Sequence, residues 1–168
     1  MSKTEDNLKM VFAGKSQTNQ KYRIYAKKAK REGLPNIARL FKLTSEAEKI
    51  QAEGNLFALT GIGSTMENLK IAIAGKINKY KRTYPEMVKQ AESDNHKAKA
   101  LFEKAVKLDE VHARLYLQAF DALKKGKDFN QDEFYLCPFC GNIKTGKPEK
   151  NCDICEGAME KFIRVGDN

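Results

Sequence analysis

Four cysteines near the C-terminal end of the chain have the spacing of a metal site. The segment CPFCGNIKTGKPEKNCDIC places Cys137 and Cys140 in one C-x2-C pair and Cys152 and Cys155 in a second, eleven residues further on. Each pair forms a tight knuckle whose thiolates and nearby backbone N–H groups face one ion, and two knuckles complete a tetrahedral S4 site. Disulfides within such pairs would be strained. The spacing predicts a site for zinc, which would staple a small domain, or for one iron, which would transfer single electrons.

A second set of polar residues recurs along the chain. The segments LFKLTSEAEKIQA and LFEKAVKLDEVHA align without a gap at an offset of 61 positions, so that Glu48 and Gln51 match Asp109 and His112. Residues three apart on a helix point the same way, and each pair therefore aims two polar groups toward the helix interior.

Lysines recur with the same offset. Ala-Gly-Lys occurs twice, with Lys15 in the first copy and Lys76 in the second, and Lys79 lies one turn beyond Lys76. All three fall on or beside apolar stripes, where a simple bundle would have leucine or valine. The repeat predicts two related helical hairpins with charged groups on their inner faces.

The elements that must position these residues are four helices followed by a cysteine-rich module. Apolar periodicity predicts a first helix over residues 4–32, a second over 35–59 and a fourth over 93–125. The third predicted helix begins after Ser64 and is kinked or ended by Pro85. Short connections between long helices favour an antiparallel up-down bundle. We expect residues 1–128 to form the helical domain and residues 129–168 the metal-binding domain.

With these elements the chain resembles the rubrerythrin family. The resemblance covers nearly the whole length and includes FAG and SQ on either side of Lys15, and the stretches TMENLKIAIAG, TYPEM and YLCPFCG. It implies a mainly α fold, a ferritin-like antiparallel four-helix bundle with a small C-terminal rubredoxin-like domain that binds metal through its four cysteines. The second knuckle departs from the family pattern, because Asp153 and Glu156 stand where the family usually has proline and glycine.

The resemblance also identifies where the family holds two irons, and most of those positions differ here. It implies that Glu48 and His112 are unchanged ligand positions and that Asp109 is a shortened carboxylate. Lysine or glutamine replaces the remaining ligands, at Lys15, Gln51, Lys76 and Lys79. Tyr22 and Tyr84 match tyrosines that the family places beside its site, although core aromatics are the simpler interpretation.

Lysine at a ligand position opposes iron binding. Iron in such sites is held by oxygen anions and imidazole, and an ammonium has no lone pair to offer. Two like charges about 5 Å apart repel by roughly 3 kcal/mol at an effective dielectric constant near 20. We therefore expect the di-iron centre to be absent, with Lys15 or Lys76 paired to Glu48 and Asp109. Alternatively, the lysines extend their ammonium groups to solvent.

The functional expectation is a rubrerythrin-like non-haem iron protein. The family reduces peroxide at its di-iron centre with electrons from its iron–sulfur module, and we expect this chain to retain the Fe(Cys)4 electron-transfer site while its peroxidase site is lost or greatly weakened. Whether it is an enzyme stays open. The alternative is a non-catalytic dimeric scaffold whose four-cysteine site is a structural zinc staple or a partner-docking module. By resemblance we expect a homodimer and a redox donor protein.

Charge and hydropathy exclude other classes. The net charge of +9 lies outside residues 134–168, which hold equal numbers of acidic and basic residues. The lysines are spread over helices without an aromatic platform, so solvated helix faces are favoured over a nucleic-acid partner. No apolar run reaches the length of a membrane span, and the N-terminal segment lacks the apolar region of a signal peptide. We expect a cytoplasmic protein without a membrane partner.

Overall fold

The computed structural model describes residues 2–59, 61–131 and 133–166. It divides into two compact units, the first ending at Gly63 and the second beginning at Ser64. The first unit contains helices α1 (Lys3–Arg31) and α2 (Pro35–Ala58). The second contains helices α3 (Thr65–Asn78), α4 (Tyr84–Ser93) and α5 (Lys99–Lys124), followed by strands β1 (Phe134–Leu136), β2 (Ile143–Thr145) and β3 (Ile163–Val165).

The first unit is a helical hairpin closed by a tight turn. At the start of α1, Ser2 and Glu5 form a capping box. At its end Gly33 has φ +74°, and the N–H of Leu34 donates to the carbonyl of Ala29 at 3.0 Å. This is a Schellman motif with glycine in the left-handed position, as the sequence predicted. Pro35 then occupies the first turn of α2, where its missing N–H costs nothing.

Proline interrupts the third predicted helix in a specific way. The predicted capping box of Ser64 and Glu67 begins α3. A π-helical turn (Lys79–Thr83) follows, and Pro85 lies in the first turn of α4. Because proline has no N–H to donate and its ring crowds the preceding turn, the regular hydrogen-bond pattern cannot pass through this point.

The last long helix begins later than predicted. We expected it to start near Ser93, but Ser93 ends α4 and α5 begins at Lys99. Asn95 has φ +48°, and the N–H of His96 donates to the carbonyl of Ala91 at 2.8 Å. Asparagine thus takes the position that Gly33 takes after α1, and it ends one helix before the next can begin.

The C-terminal module is a small antiparallel sheet with the strand order β2-β1-β3. Leu136 pairs with Ile143 in β2 and with Ile163 in β3, so the central strand runs directly into the first cysteine knuckle. Its most buried residues are cysteines and one asparagine rather than large apolar side chains, as their exposed fractions of 1–2% show for Cys137, Cys152 and Asn142. A module with so small an apolar core would gain much of its stability from a bound metal.

Within the described parts of the chain, no helix has both the length and the apolar character needed to cross a bilayer.

Candidate metal centre and paired lysines

The four cysteine sulfurs converge on one point. Their Sγ atoms all lie within 4.8 Å of one another, and the Cys137–Cys155 and Cys140–Cys152 pairs are 3.6 Å apart. A tetrahedral ion with metal–sulfur bonds of about 2.3 Å would set sulfur–sulfur distances of about 3.8 Å. All four cysteines are free of disulfides. The residues that the sequence predicted as metal ligands therefore have the arrangement of an S4 site.

Backbone hydrogen bonds shape both knuckles alike. The N–H of Cys137 donates to the carbonyl of Asn142 at 2.8 Å, and the N–H of Cys152 donates to that of Gly157 at the same distance. The residue after each C-x2-C pair has a positive φ, +84° at Gly141 and +60° at Glu156. Glycine accepts this conformation without strain, whereas glutamate adopts it at a cost of about 1 kcal/mol.

Asn142 supports the second knuckle and was not identified from the sequence. Its side chain is 1% exposed, and Nδ2 donates to Cys152 Sγ at 3.5 Å. Burial alone would raise the pKa of the Cys152 thiol, but N–H donors from the Ile154 and Cys155 backbone and from Asn142 outweigh it and lower the pKa to about 6. These donors stabilise the thiolate of Cys152, the form that binds metal, whereas burial raises the pKa of the Cys140 and Cys155 thiols. The only sequence signal was a side-chain amide directly after C-P-x-C-G.

Asp153, inside the second knuckle, is held by two lysines. Lys144 of β2 forms a hydrogen-bonded ion pair with it, and Lys150 Nζ lies 3.1 Å from its Oδ1. The hydrogen bond from Lys144, followed by that from Lys150, lowers the pKa of the Asp153 carboxyl. The carboxylate that departs from the family pattern therefore joins β2 to the second C-x2-C pair.

In the first unit, Lys15 is paired as the sequence predicted. Its Nζ lies 3.1 Å from Glu48 Oε1, which joins α1 to α2. The pair is partly buried, with 31% of the lysine side chain and 17% of the glutamate side chain exposed. An ammonium group therefore occupies one side of the Glu48 carboxylate.

The second unit repeats this arrangement more tightly. Lys76 Nζ lies 2.5 Å from Asp109 Oδ1, which joins α3 to α5. The aspartate side chain is 8% exposed, and its Oδ2 is buried with no hydrogen-bond partner among the described residues. Both pairs join residues 33 positions apart. The predicted internal repeat is thus visible as two equivalent ammonium–carboxylate pairs, one in each unit.

His112 connects this pair to the cysteine module. Its Nε2 lies 3.1 Å from the carbonyl oxygen of Gly141, so Nε2 carries the proton and donates it. Its Nδ1 lies 4.0 Å from Asp109 Oδ1. Burial is the largest influence on the ring and lowers the pKa of His112, although the bond to Gly141 opposes this. A neutral imidazole thus joins α5 to the residue that follows Cys140.

The remaining predicted residues lie outside these pairs. Gln51 and Lys79 are exposed, and Tyr84 is half-buried at the start of α4. Tyr22 packs in an aromatic cluster, with ring centroids 5.9 Å from Phe41 and 6.1 Å from Tyr25. The cluster agrees with the simpler interpretation of Tyr22 as a core aromatic.

Comparison with known proteins places these features in a family. The rubrerythrin family model matches residues 6–53. A rubrerythrin of Porphyromonas gingivalis is 36% identical and covers 99% of this chain and 92% of its own length. Nigerythrin of Nitratidesulfovibrio vulgaris is 32% identical over 95% of this chain and 85% of its own length. Rubrerythrin-2 of Clostridium acetobutylicum is 31% identical over 95% of each chain.

A solved structure agrees with the sequence comparisons. The fully reduced, all-ferrous state of nigerythrin matches with a TM-score of 0.57 and 29% identity, covering 98% of this chain and 88% of that one. The predicted fold class, a ferritin-like helical fold with a small rubredoxin-like four-cysteine domain, is confirmed. On the length and identity of these matches, the chain belongs to the rubrerythrin family.

Proposed function

We propose that this protein is a rubrerythrin-family electron-transfer protein that uses its four-cysteine site and has lost, or greatly weakened, the di-iron peroxidase centre. The observation that carries the proposal is the pair of ammonium–carboxylate contacts, Lys15 with Glu48 and Lys76 with Asp109. In each contact an ammonium group pairs with a carboxylate that the family resemblance identifies as an iron ligand.

The charges at these positions argue against a divalent ion. A carboxylate that accepts a short hydrogen bond from an ammonium offers less negative charge to a metal, and the ammonium itself repels a cation. At Asp109 the single free oxygen, Oδ2, is buried, which leaves one anionic ligand atom beside a cation. Two irons need several such anions.

The four-cysteine module fits a single iron. A thiolate tetrahedron of these dimensions suits iron or zinc equally, and iron held there would exchange one electron. The related nigerythrin was solved in an all-ferrous state, which favours iron for this chain. The alternative function, a non-catalytic scaffold with a structural zinc, is supported by the small apolar core of the module.

We further propose that the protein works as a homodimer in the cytoplasm and receives electrons from a redox protein. Membership of the rubrerythrin family supports the dimer and the donor, and four cysteines without disulfides suit a reducing compartment. We also propose that the boundary between the helical domain and the metal-binding domain lies near residue 128.

Iron loading tests the two sites together. The purified chain, reconstituted with excess ferrous iron, should retain about one iron per chain, show sulfur-to-iron charge-transfer bands and consume hydrogen peroxide slowly. A triple variant, Lys15→Glu/Lys76→Glu/Lys79→Glu, returns carboxylates to three ligand positions and should retain additional iron, because the like charges are removed.

A matched control separates ligand identity from net charge. Lys97→Glu/Lys104→Glu/Lys125→Glu makes the same charge change at exposed positions and should leave iron content near one per chain. Retention of about three irons and rapid peroxide turnover by the unsubstituted chain would overturn the loss of the di-iron centre. A colourless protein that takes up zinc but not iron would instead support the scaffold alternative.

A further inference from the structure

A cavity in the first unit lies between α1 and α2, close to the turn that joins them. Its volume is about 540 Å³, within the range of small-molecule sites. Its apolar part is formed by Ala26, Pro35 and Ala38, which contribute small side chains from both helices. It is separate from the Lys15–Glu48 pair, which does not line it.

Two rows of cations border this cavity. Arg23, Lys27 and Lys30 come from α1, and Arg39 and Lys42 come from α2. One carboxylate, that of Glu46, accompanies these five cations. Ion pairs between described residues occur elsewhere on the helices, as at Lys28–Glu32, but none of the five cations forms one. The cavity therefore has a strong positive charge that the described part of the chain does not balance.

This arrangement costs stability unless an anion is bound. Arg23 and Lys27 are four residues apart on one helix, and Arg39 and Lys42 are three apart, which are spacings at which like charges repel. Ser45 also lines the cavity, is 0% exposed and has an Oγ without a hydrogen-bond partner among the described residues. Unpaired cations and a hydroxyl without a protein partner around an apolar floor are features that suit an anionic ligand with an apolar part.

From this juxtaposition we infer that the α1–α2 cavity binds a small polyphosphate ester with a flat apolar body, of the nucleoside triphosphate class. Guanidinium and ammonium groups are the usual partners of phosphate oxygens, and arginine can bind them with two parallel hydrogen bonds. The apolar floor suits a ring system, and the small side chains let it approach the helices closely. A triphosphate brings about four negative charges, which matches five cations and one carboxylate. The inference goes beyond the proposed electron transfer and does not depend on the metal in the four-cysteine site.

Calorimetric titration of the full metal-loaded chain with magnesium-free adenosine triphosphate tests the inference. We expect one site per chain, with adenosine, which is uncharged, and adenosine monophosphate, which carries fewer negative charges, binding at least about tenfold more weakly. Lys27→Glu/Arg39→Glu should weaken triphosphate binding by about tenfold or more. Lys104→Glu/Lys125→Glu makes the same change in net charge on exposed residues of α5 and its C-terminal end and should leave binding within about twofold.

A second variant tests the apolar floor. Ala38→Leu fills the cavity without changing charge, so it should weaken adenosine triphosphate by about tenfold and leave inorganic tripolyphosphate within about twofold. Circular dichroism of each variant establishes that the helices are retained. The inference is overturned if no binding is detected, if the two charge-reversal variants bind alike, or if Ala38→Leu has no effect. It is also overturned if an oligonucleotide binds these residues more tightly than the triphosphate, since the site would then belong to a nucleic acid.

Discussion

Replacing Lys76 with methionine isolates the contribution of one internal ion pair. The substitution keeps the length of the side chain but leaves the Asp109 carboxylate, 8% exposed, without its ammonium partner. Removing one member of a buried pair costs about 3–5 kcal/mol because a buried charge is left uncompensated. Lys76 is itself 27% exposed, so water can reach the carboxylate and we expect the lower end, about 3 kcal/mol.

The equivalent pair in the first unit supplies the matched comparison. Lys15→Met leaves Glu48, which is 17% exposed, and its lysine partner is 31% exposed. Because both groups are better solvated, we expect a loss of about 1 kcal/mol. The double variant Lys76→Met/Asp109→Asn removes the charge together with its partner and should recover most of the roughly 3 kcal/mol.

Urea unfolding of the metal-loaded chains, followed by circular dichroism, measures these differences. With an m-value of about 2 kcal/mol/M, Lys76→Met should lower the unfolding midpoint by about 1.5 M. Equal midpoints for Lys76→Met and Lys15→Met, or a double variant no more stable than Lys76→Met, would refute the assignment of Asp109 as a buried charge.

Three further predictions concern the cysteine module. Glu156→Gly should raise the free energy of unfolding by about 1 kcal/mol, since glycine accepts the positive φ, whereas Gly141→Ala should lower it. Chemical denaturation measures both; a less stable Glu156→Gly variant or a more stable Gly141→Ala variant would contradict the strain argument. Asn142→Leu removes a donor to Cys152 and should lower the reduction potential of an iron-loaded site by about 40 mV, as voltammetry would show. Metal affinity should weaken as pH falls below neutral, because protons compete with the metal for the four thiolates; an affinity that does not change on acidification would contradict this.

The features that sequence reasoning predicted correctly have strong local signals. The two C-x2-C pairs define the S4 cluster, because a thiolate tetrahedron tolerates few other spacings. The helix caps at Ser64 and Gly33 follow from side-chain and backbone chemistry that operates within four residues. The lysine–carboxylate pairing was predicted because a buried ammonium needs a partner and the repeat offered one at the same place in each hairpin.

The features that were missed depend on weaker or more distant signals. Asparagine adopts the left-handed conformation less readily than glycine, so the presence of Asn95 did not clearly indicate that α4 and α5 are separate helices. The roles of Asn142 and Lys144 come from contacts with residues nine and ten positions away, across the two knuckles. The basic cavity between α1 and α2 appears in the sequence only as scattered cations, because no single helix carries both of its rows.

The equal 33-residue separation of the two ion pairs has a consequence for synthesis of the chain. Both members of the first pair precede Gly63, so the ammonium of Lys15 meets its counter-charge as soon as α2 has left the ribosome. The charge of Lys15 is therefore neutralised by Glu48 within the first hairpin, without later residues of the chain and without bound iron.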